Sequence, residues 1–571
     1  MGFQLSPGVQ TKEIDLSTSI PAVATSLGAT VGRFTWGPAF EPYLCTSEAD
    51  LVAVFGQPTN DTYPAFLSSA AFLKYTNSLQ VVRVVDSGAM NAAPNGNVTQ
   101  ITGEEDFDTQ YDSGTLTEGF YARYPGTYGN GISVETHSGD ATWDAWQYSG
   151  AFDVAPDASN NELAIAVIVN EEIVERYLVG VLQGTKNADG GNIWAEDKVN
   201  KQSKLIWVVS DHVDTTPGPV SVTFSGGIAV SAGVPAHCDD MSADDQATCE
   251  GNGNAWVVAV SAGTVGANEY MQGWDKFQNA DEINVSLLIA GGLSNENSAQ
   301  VAIVSKYMIE SVAEYRKDCI AIISPPKEEV VNVGGATNSV NNVIAWRKDV
   351  SFNSASSYGT LDGNYKYVYD VYSDTYRWIG FSGDIGGLCG HTDSVRDAWW
   401  SPGGLNRGQI KGVVKLAYQP SLAHRDQLYM LPNGINPIVS FPGQGTVLWG
   451  DRTLLTKPSA FDRINVRRLF IILEKAISIS AKYFLFEFNN EFTRTNFRNM
   501  VNPYLAGIQA RQGMYDFYVQ CDAENNTGEI IDANQFVASM FIKPSKSINF
   551  ITLNFVATKT GVDFAEVIGQ V

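Results

Sequence analysis

Two stretches of the chain, far apart in sequence, read as strand–helix–strand units. In the first, residues 29–34 are strand-like, and residues 63–75 carry Phe66, Ala70 and Leu73 at helical spacing. A β-branched strand follows at 79–85. In the second, residues 285–290 read as a buried strand. Residues 298–316 read as an amphipathic helix with Val301, Val304, Met308 and Val312 on one side. Residues 319–323 form the next strand, which Pro325-Pro326 ends. Strands joined by a crossover helix pair naturally in parallel. The two stretches therefore read as one α/β core, and the segment between them as an insertion.

That segment, from about Ser87 to about Trp274, changes character. Gly, Asn, Asp, Ser and Thr dominate, and the apolar runs are short, at 162–169, 204–209, 220–224 and 255–260. This is the pattern of β-rich outer structure, where loops and change are tolerated. Beyond the core, residues 338–348 are helix-like and 365–381 are β-like. The C-terminal part reads as a long helix over 462–483 and another over 491–512 that Pro503 kinks or splits. Strands follow at 514–521, 530–542 and 547–558, with a turn at Asn525-Asn526-Thr527-Gly528. At the other end, residues 9–14 make a short strand with polar residues interleaved, after the break at Pro7-Gly8. Such a strand cannot bury its apolar face alone and needs a sheet edge, its own or a neighbour's. The expected fold class is α/β and α+β multidomain. An arm at 1–20 leads into a discontinuous core of 21–90 plus 280–458, with an inserted β-rich region at 91–279. A C-terminal α+β domain at 459–571 closes the chain, with 547–571 as a second arm.

A chain of 571 residues is too long for one hydrophobic core. Its formal net charge of −25 argues against nucleic acid as a direct partner, because phosphate binding needs clustered Lys and Arg. No apolar run approaches a membrane span, and no basic-then-apolar leader opens the sequence, so a cytoplasmic folding site is expected. The five histidines form no metal-ligand spacing, and no serine sits in GxSxG. The glycines of Tyr124-Pro125-Gly126-Thr127-Tyr128-Gly129-Asn130-Gly131 lack a P-loop ending and read as a turn needing positive φ, as do Pro442-Gly443-Gln444-Gly445. Paired acids such as Glu104-Glu105 and Asp239-Asp240 read as solvated loops. No enzyme and no cofactor is expected. Cys319 and Cys389 read as buried thiols. Cys238 and Cys249 bracket an acidic loop. A disulfide there would add roughly 3 kcal/mol; free thiols and, more weakly, a metal site are the other readings.

The long C-terminal helix carries the most physical information. Val466, Leu469, Phe470, Leu473, Ala476, Ile477 and Phe484 fall on one arc, the face that packs on the domain. Arg463, Arg467, Arg468, Lys475 and Lys482 fall on another. Only Asp462 and Glu474 offer opposite charge within this helix. The stripe is either a solvated charged face or a docking surface for an acidic partner, for which the planar arginine fork is suited.

One linear signature runs through the last third. It comprises Leu428-Tyr429, Asn433-Gly434-Ile435-Asn436-Pro437-Ile438, Trp449-Gly450-Asp451-Arg452-Thr453-Leu454, Asn465-Val466-Arg467-Arg468 and Phe486-Glu487-Phe488-Asn489. With Ser6-Pro7-Gly8-Val9, Trp36-Gly37-Pro38, Phe55-Gly56 and Arg83-Val84, it resembles the tail sheath proteins of contractile-tailed bacteriophages. Residues 140–280 carry none of this resemblance. The resemblance implies a structural protomer that stacks as hexameric rings around an inner tail tube and contracts to drive the tube through the host envelope. It implies as partners other copies of the chain, the tail tube protein, and baseplate and tail terminator proteins, with no membrane insertion. The implied location is the virion tail sheath, after assembly in the host cytoplasm. It makes Val9, Gln10, Thr11, Lys12, Glu13 and Ile14 one inter-subunit arm. Ile548, Phe550, Ile551, Leu553 and Phe555 form the other, and the basic helix becomes a tube contact. A different virion or tail-tip protein, using the β-rich region on carbohydrate, is the alternative. The large negative charge is expected to hold unassembled copies apart. Raising salt from low to physiological concentration should then speed self-assembly in a turbidity assay, and a rate indifferent to salt rules this out.

Overall fold

The computed structural model describes residues 23–187, 189–229 and 265–549, with Ile20, Ile551 and the backbone of the strand pair His237–Cys238 and Trp256–Val257. The chain divides into two units, Met1–Phe486 and Glu487–Val571.

The first unit is organised by a seven-stranded sheet. Its order is Ile435–Asn436, Gly359–Asp362, Ile320–Ile323, Leu287–Ile289, Gly28–Gly32, Leu79–Arg83 and Pro42–Cys45. Every neighbouring pair is parallel except the last, where Pro42–Cys45 adds an antiparallel edge. Gly28 pairs with Leu287 on one side and Leu79 on the other, so the strand nearest the N-terminus lies between strands from both chain stretches. Successive side chains on a strand point to opposite faces. Accordingly Leu288, Ala321 and Ile323 enter one core with Val301, Val304 and Met308, while Leu287, Ile289, Ile320 and Ile322 enter the other with Phe66 and Phe72. Helix Tyr63–Leu73 makes the parallel crossover expected between its flanking strands.

Three local features differ from expectation. The helix over 298–316 is not regular: Ser298–Tyr307 passes into a π-helical turn at Met308–Ala313 before Glu314–Arg316. Helix Ser382–Val395 is unexpected, since Gly383, Gly386, Gly387 and Gly390 all disfavour a helix. Close packing offsets that cost. A Cβ on Gly383 would lie 2.2 Å from the Ser68 carbonyl oxygen, and one on Gly387 2.4 Å from the Tyr75 ring. The acidic pair Glu104-Glu105 is no loop; it opens helix Glu104–Asp112, where carboxylates favour the helix N-terminus.

The intervening segment builds a five-stranded antiparallel sheet, in the order Ala93–Pro94, Pro219–Ser225, Ile132–His137, Glu162–Val169 and Glu172–Gly180. Val134, Ile165, Val167 and Val179 pack on one face, and Trp146 with Ala164 and Ala166 on the other. The strand expected at 255–260 lies outside the described residues apart from Trp256–Val257.

The second unit holds helix Glu491–Ala510, which continues through Pro503, and a hairpin of Met514–Gln520 with Ser539–Pro544. The strand expected over 530–542 begins only at Ser539, because Gly528–Asp532 is a short helix. Helix Ile464–Ala481 belongs to the first unit, where Ile464 and Ile471 join the sheet core.

The glycine stripe gives a sharp test. Gly383→Ala adds about 1 kcal/mol of helix propensity but overpacks against a backbone oxygen, a cost of about 1–3 kcal/mol. The urea midpoint should fall; an unchanged or raised midpoint would show that the helix contact has room to spare.

Candidate functional site

The signature residues Tyr429, Asn436 and Gly450 to Thr453 meet beside the start of helix Ile464–Ala481. Asn436 is fully buried and donates to the Thr360 hydroxyl (2.9 Å) and the Arg452 carbonyl (2.9 Å), while its oxygen accepts the Arg452 amide (2.8 Å). A side chain on Gly450 would collide with that oxygen at 2.7 Å. The Tyr429 hydroxyl donates to Asp451 at 2.9 Å and accepts from Arg463 at 2.5 Å. Burial and the neighbouring Asp451 push the Tyr429 phenol upward. Arg452 lies 4.7 Å over the same ring and pairs with Asp462 at 3.2 Å. Thr453 bonds the Phe461 carbonyl at 2.8 Å, and the Asp451 carbonyl accepts the Ile464 amide at 2.7 Å. These bonds satisfy buried polar groups and fix where the helix begins.

The basic residues of that helix are not a free stripe. Arg468 is 3% exposed, pairs with Asp393 at 2.6 Å and donates to the Cys389 and Thr25 carbonyls. Burial opposes its charge, yet the Asp393 carboxylate outweighs burial and raises its pKa. Arg467 is 6% exposed and lies between the rings of Tyr358 (4.2 Å) and Phe461 (4.0 Å). Burial lowers its pKa. Lys475 pairs with Asp318 at 2.8 Å, and Arg463 sits within 3.4 Å of Asp451. Lys482 pairs with Asp281 at 3.2 Å and is exposed. Within the protomer, then, Arg468, Lys475 and Lys482 are met by acids from remote sequence, Arg463 by Asp451 and Asp462, and Arg467 by two aromatic rings, with Arg467 and Arg468 buried. Phe470 and Phe484, expected on the packed face, are only part-buried, whereas Ile464 and Ile471 are buried.

The same helix borders the point where the chain departs toward its N-terminus. The Ser286 hydroxyl donates to the Thr25 carbonyl at 2.7 Å, and Arg468 reaches that carbonyl at 3.4 Å. Val23, Thr25, Ser286, Arg468 and Lys475 line a small recess there. The arm residues Val9, Gln10, Thr11, Lys12, Glu13 and Ile14 lie outside the described residues, as do Phe550, Leu553, Phe555 and Cys249. Ile548 and Ile551 are 82% and 76% exposed and belong to no strand. Cys238 lies in a strand paired with Trp256.

A second constellation joins the inserted sheet to the parallel one. Arg83 is fully buried and donates to the carbonyls of Phe34 (3.0 Å), Gly37 (2.9 Å) and Pro125 (2.6 Å). Burial lowers its pKa to about 9. Trp36 packs against Tyr124 and Tyr128, at 5.3 and 4.9 Å between ring centroids. Gly126 has φ +137, the positive φ expected of this turn, and a Cβ there would approach Arg83 at 3.1 Å. The scattered positions Trp36-Gly37 and Arg83 and the turn Tyr124-Pro125-Gly126 are thus one joint. Their spacing in sequence gave no sign of it.

Three family models match the chain. Residues 27–84 match the tail sheath protein Gp18 domain III N-terminal region, residues 263–454 the phage tail sheath protein central domain, and residues 456–558 the phage tail sheath C-terminal domain. The tail sheath protein of Vibrio phage KVP40 is 35% identical, over 99% of this chain and 100% of the relative. That of Enterobacteria phage T4 is 33% identical, over 99% of each. Among solved structures, the PVC sheath complex of an extracellular contractile injection system, in its contracted state, has a TM-score of 0.51 at 14% identity. It covers 98% of this chain and 99% of its own. The sheath tail protein of Desulfitobacterium hafniense also reaches 0.51, at 11% identity, over 90% and 94%. Those two likenesses speak to the fold. The whole-length relatives speak to descent, and the chain belongs to the tail sheath protein family, a family of structural proteins.

Proposed function

We propose that this chain is the protomer of a contractile tail sheath. Copies stack as hexameric rings around an inner tube, and the stack shortens to drive the tube through the host envelope. The observation that carries the reading is the whole-length relationship to two phage tail sheath proteins. The protein is then a virion component, assembled in the host cytoplasm. Its partners are other copies, the tail tube, the baseplate and the tail terminator.

The two chain ends are proposed as links between copies. Support comes from the hairpin Met514–Gln520 with Ser539–Pro544, a sheet of only two strands among the described residues. A two-stranded sheet is marginal alone, and its outer edges can take further strands. Exposed Tyr515, Tyr518 and Phe541 on it would gain cover from added strands. Backbone hydrogen bonds suit such a link because they survive rigid-body movement of the partners. The N-terminal arm would pull on Thr25, whose carbonyl is held by Ser286 and Arg468.

The tube contact moves from the basic stripe to the end of helix Ile464–Ala481. There Ile479, Lys482, Tyr483, Leu485 and Phe486 are exposed, whereas Arg467 and Arg468 are buried. An apolar contact with one cation can slide without stranding a buried charge.

Two experiments bear on this. Deleting Met1 to Ser17 should leave a folded protomer by circular dichroism, while the full chain forms hollow striated cylinders in negative stain and the deletion forms none. Cylinders from the deleted chain would sink the arm reading. For the arm root, Arg468→Ala leaves Asp393 buried and unpaired, a loss of about 3–5 kcal/mol in urea unfolding. Replacing both partners, Arg468→Met with Asp393→Leu, should recover most of it. A loss under about 1 kcal/mol for the single change would mean that solvent reaches the pair.

A further inference from the structure

Among the described residues, Asp362, Asp370 and Asp384 are the aspartates buried to 1% exposure or less. Two of them are matched, Asp370 by Arg377 and Asp384 by Lys366, each at 2.7 Å. Asp362 has no cation partner among the described residues. It ends strand Gly359–Asp362. Because Ile323 pairs with Leu361, Ser324 comes level with it at the end of the adjacent strand. The Ser324 hydroxyl donates to one Asp362 carboxyl oxygen at 2.5 Å, and the Asn364 amide donates to the other at 3.2 Å. The Ser324 oxygen in turn accepts the Ser382 amide at 2.9 Å, where helix Ser382–Val395 begins. Asp362 thus stands where two sheet strands, that helix and the hairpin of Tyr365–Asp370 with Thr375–Gly380 meet.

This junction suits a neutral acid and not an anion. Asp384 faces Asp362 from the helix, and its own charge is already answered by Lys366. Tyr365 of the hairpin and Tyr418 also face it. Their hydroxyls are given to the Pro325 carbonyl (2.7 Å) and the Gly363 carbonyl (2.5 Å). Space is short as well: a Cβ added to Gly380 would lie 2.7 Å from the Ser324 oxygen. A desolvated carboxylate without a cation is costly, and a group so placed keeps its proton. We propose that Asp362 is a pH-sensitive latch: as a neutral acid it ties the ends of the two strands to the start of helix Ser382–Val395, and once ionised it parts them and admits water. Burial pushes this carboxyl up to about 7; the bonds from Ser324 and Asn364 oppose the rise, and Asp384 adds to it. In an unfolded chain an aspartate titrates near about 3.9. The folded protein therefore holds a proton that the unfolded chain has released. The latch's contribution to stability is whole below about pH 4 and is lost as pH rises through about 7. It belongs to the single protomer and holds whether or not copies assemble.

The test is hydrogen exchange on the full chain at about pH 5.5 and about pH 8.5, read by mass spectrometry and corrected for the intrinsic pH dependence of exchange. Amides over 359–364 and 380–388 should lose protection about tenfold or more at the higher pH, while strand Leu79–Arg83 keeps its own. Asp362→Asn cannot ionise, and its protection over those two stretches should be the same at both pH values. A wild-type chain equally protected at both overturns the proposal, and so does an Asn variant that loses protection as the wild type does. Ser324→Ala keeps the question open to decision where the Asn variant does not fold. Removing a hydrogen bond that favours the charged form should move the midpoint of the wild-type profile to higher pH. A merely structural serine would lower protection at every pH and leave the midpoint in place, which assigns the titration to another group and overturns the latch.

Discussion

A parallel sheet has to be covered on both faces, and in this protein that requirement brings distant chain segments together. Strand Gly28–Gly32 is hydrogen-bonded between Leu287–Ile289 and Leu79–Arg83. Neither half of the sheet is complete without the other, so the inserted region must start and finish beside this one strand. Arg83 lies at the end of the neighbouring strand, and its guanidinium gathers carbonyls from Phe34, Gly37 and Pro125. The joint between sheet and insert is therefore a by-product of where the sheet ends. Below the same strand, Ser286 holds the Thr25 carbonyl, so the departing N-terminal chain is fixed from the sheet as well.

Charge is handled by a second rule: buried cations are matched by acids or carbonyls from other elements. Arg468 meets Asp393, Lys475 meets Asp318, and Arg316 meets Asp318. Lys366 and Asp384 form a buried pair at 2.7 Å. Truncating one member of such a pair is costly because the other stays desolvated, although the pair itself adds little net stability. Their use is positional. Helix Ile464–Ala481 is held at its start by Tyr429, Asp451 and Arg463 and along its length by Asp393 and Asp318, and its far end is exposed at Ser478 and Ile479.

Much of the fold was legible in the sequence wherever one physical signal acted alone. Residues 285–290 and 319–323 are apolar runs bounded by turn residues, and both are sheet strands. The crossover helix Tyr63–Leu73 was legible too, with its apolar spacing between two strands. The readings failed where two signals competed. Glycines at 383, 386, 387 and 390 oppose a helix, yet they are what allows the backbone to approach Ser68 and Tyr75. Counting charge within helix Ile464–Ala481 made a bare basic stripe, because Asp393, Asp318 and Asp281 are invisible to helical periodicity. The signature at 428–454 was legible as a pattern but not as a structure. Its asparagine, glycine and arginine meet only after the chain has folded back on Thr360 and Leu361.

Self-assembly of a chain with net charge −25 needs attraction confined to small areas. Repulsion between whole protomers acts over a Debye length, about 8 Å at physiological salt. A lysine resting on an aromatic ring acts at contact, where solvent is excluded and screening is weak. Salt therefore weakens the long-range term more than the contact term, and the two can differ in sign without conflict. Contacts of this kind are individually weak, about 1 kcal/mol or less for an exposed ion pair. Weakness is useful in a lattice that must rearrange, because each contact can break and re-form without a large barrier. What keeps such a lattice connected has to be something that does not break, and backbone pairing across an open strand edge has that property. A sheath built on this division would place its reversible contacts on side chains and its permanent ones on the main chain. Among the described residues, hairpin Met514–Gln520 with Ser539–Pro544 has no third strand on either edge, so its main chain is open to pairing of that kind.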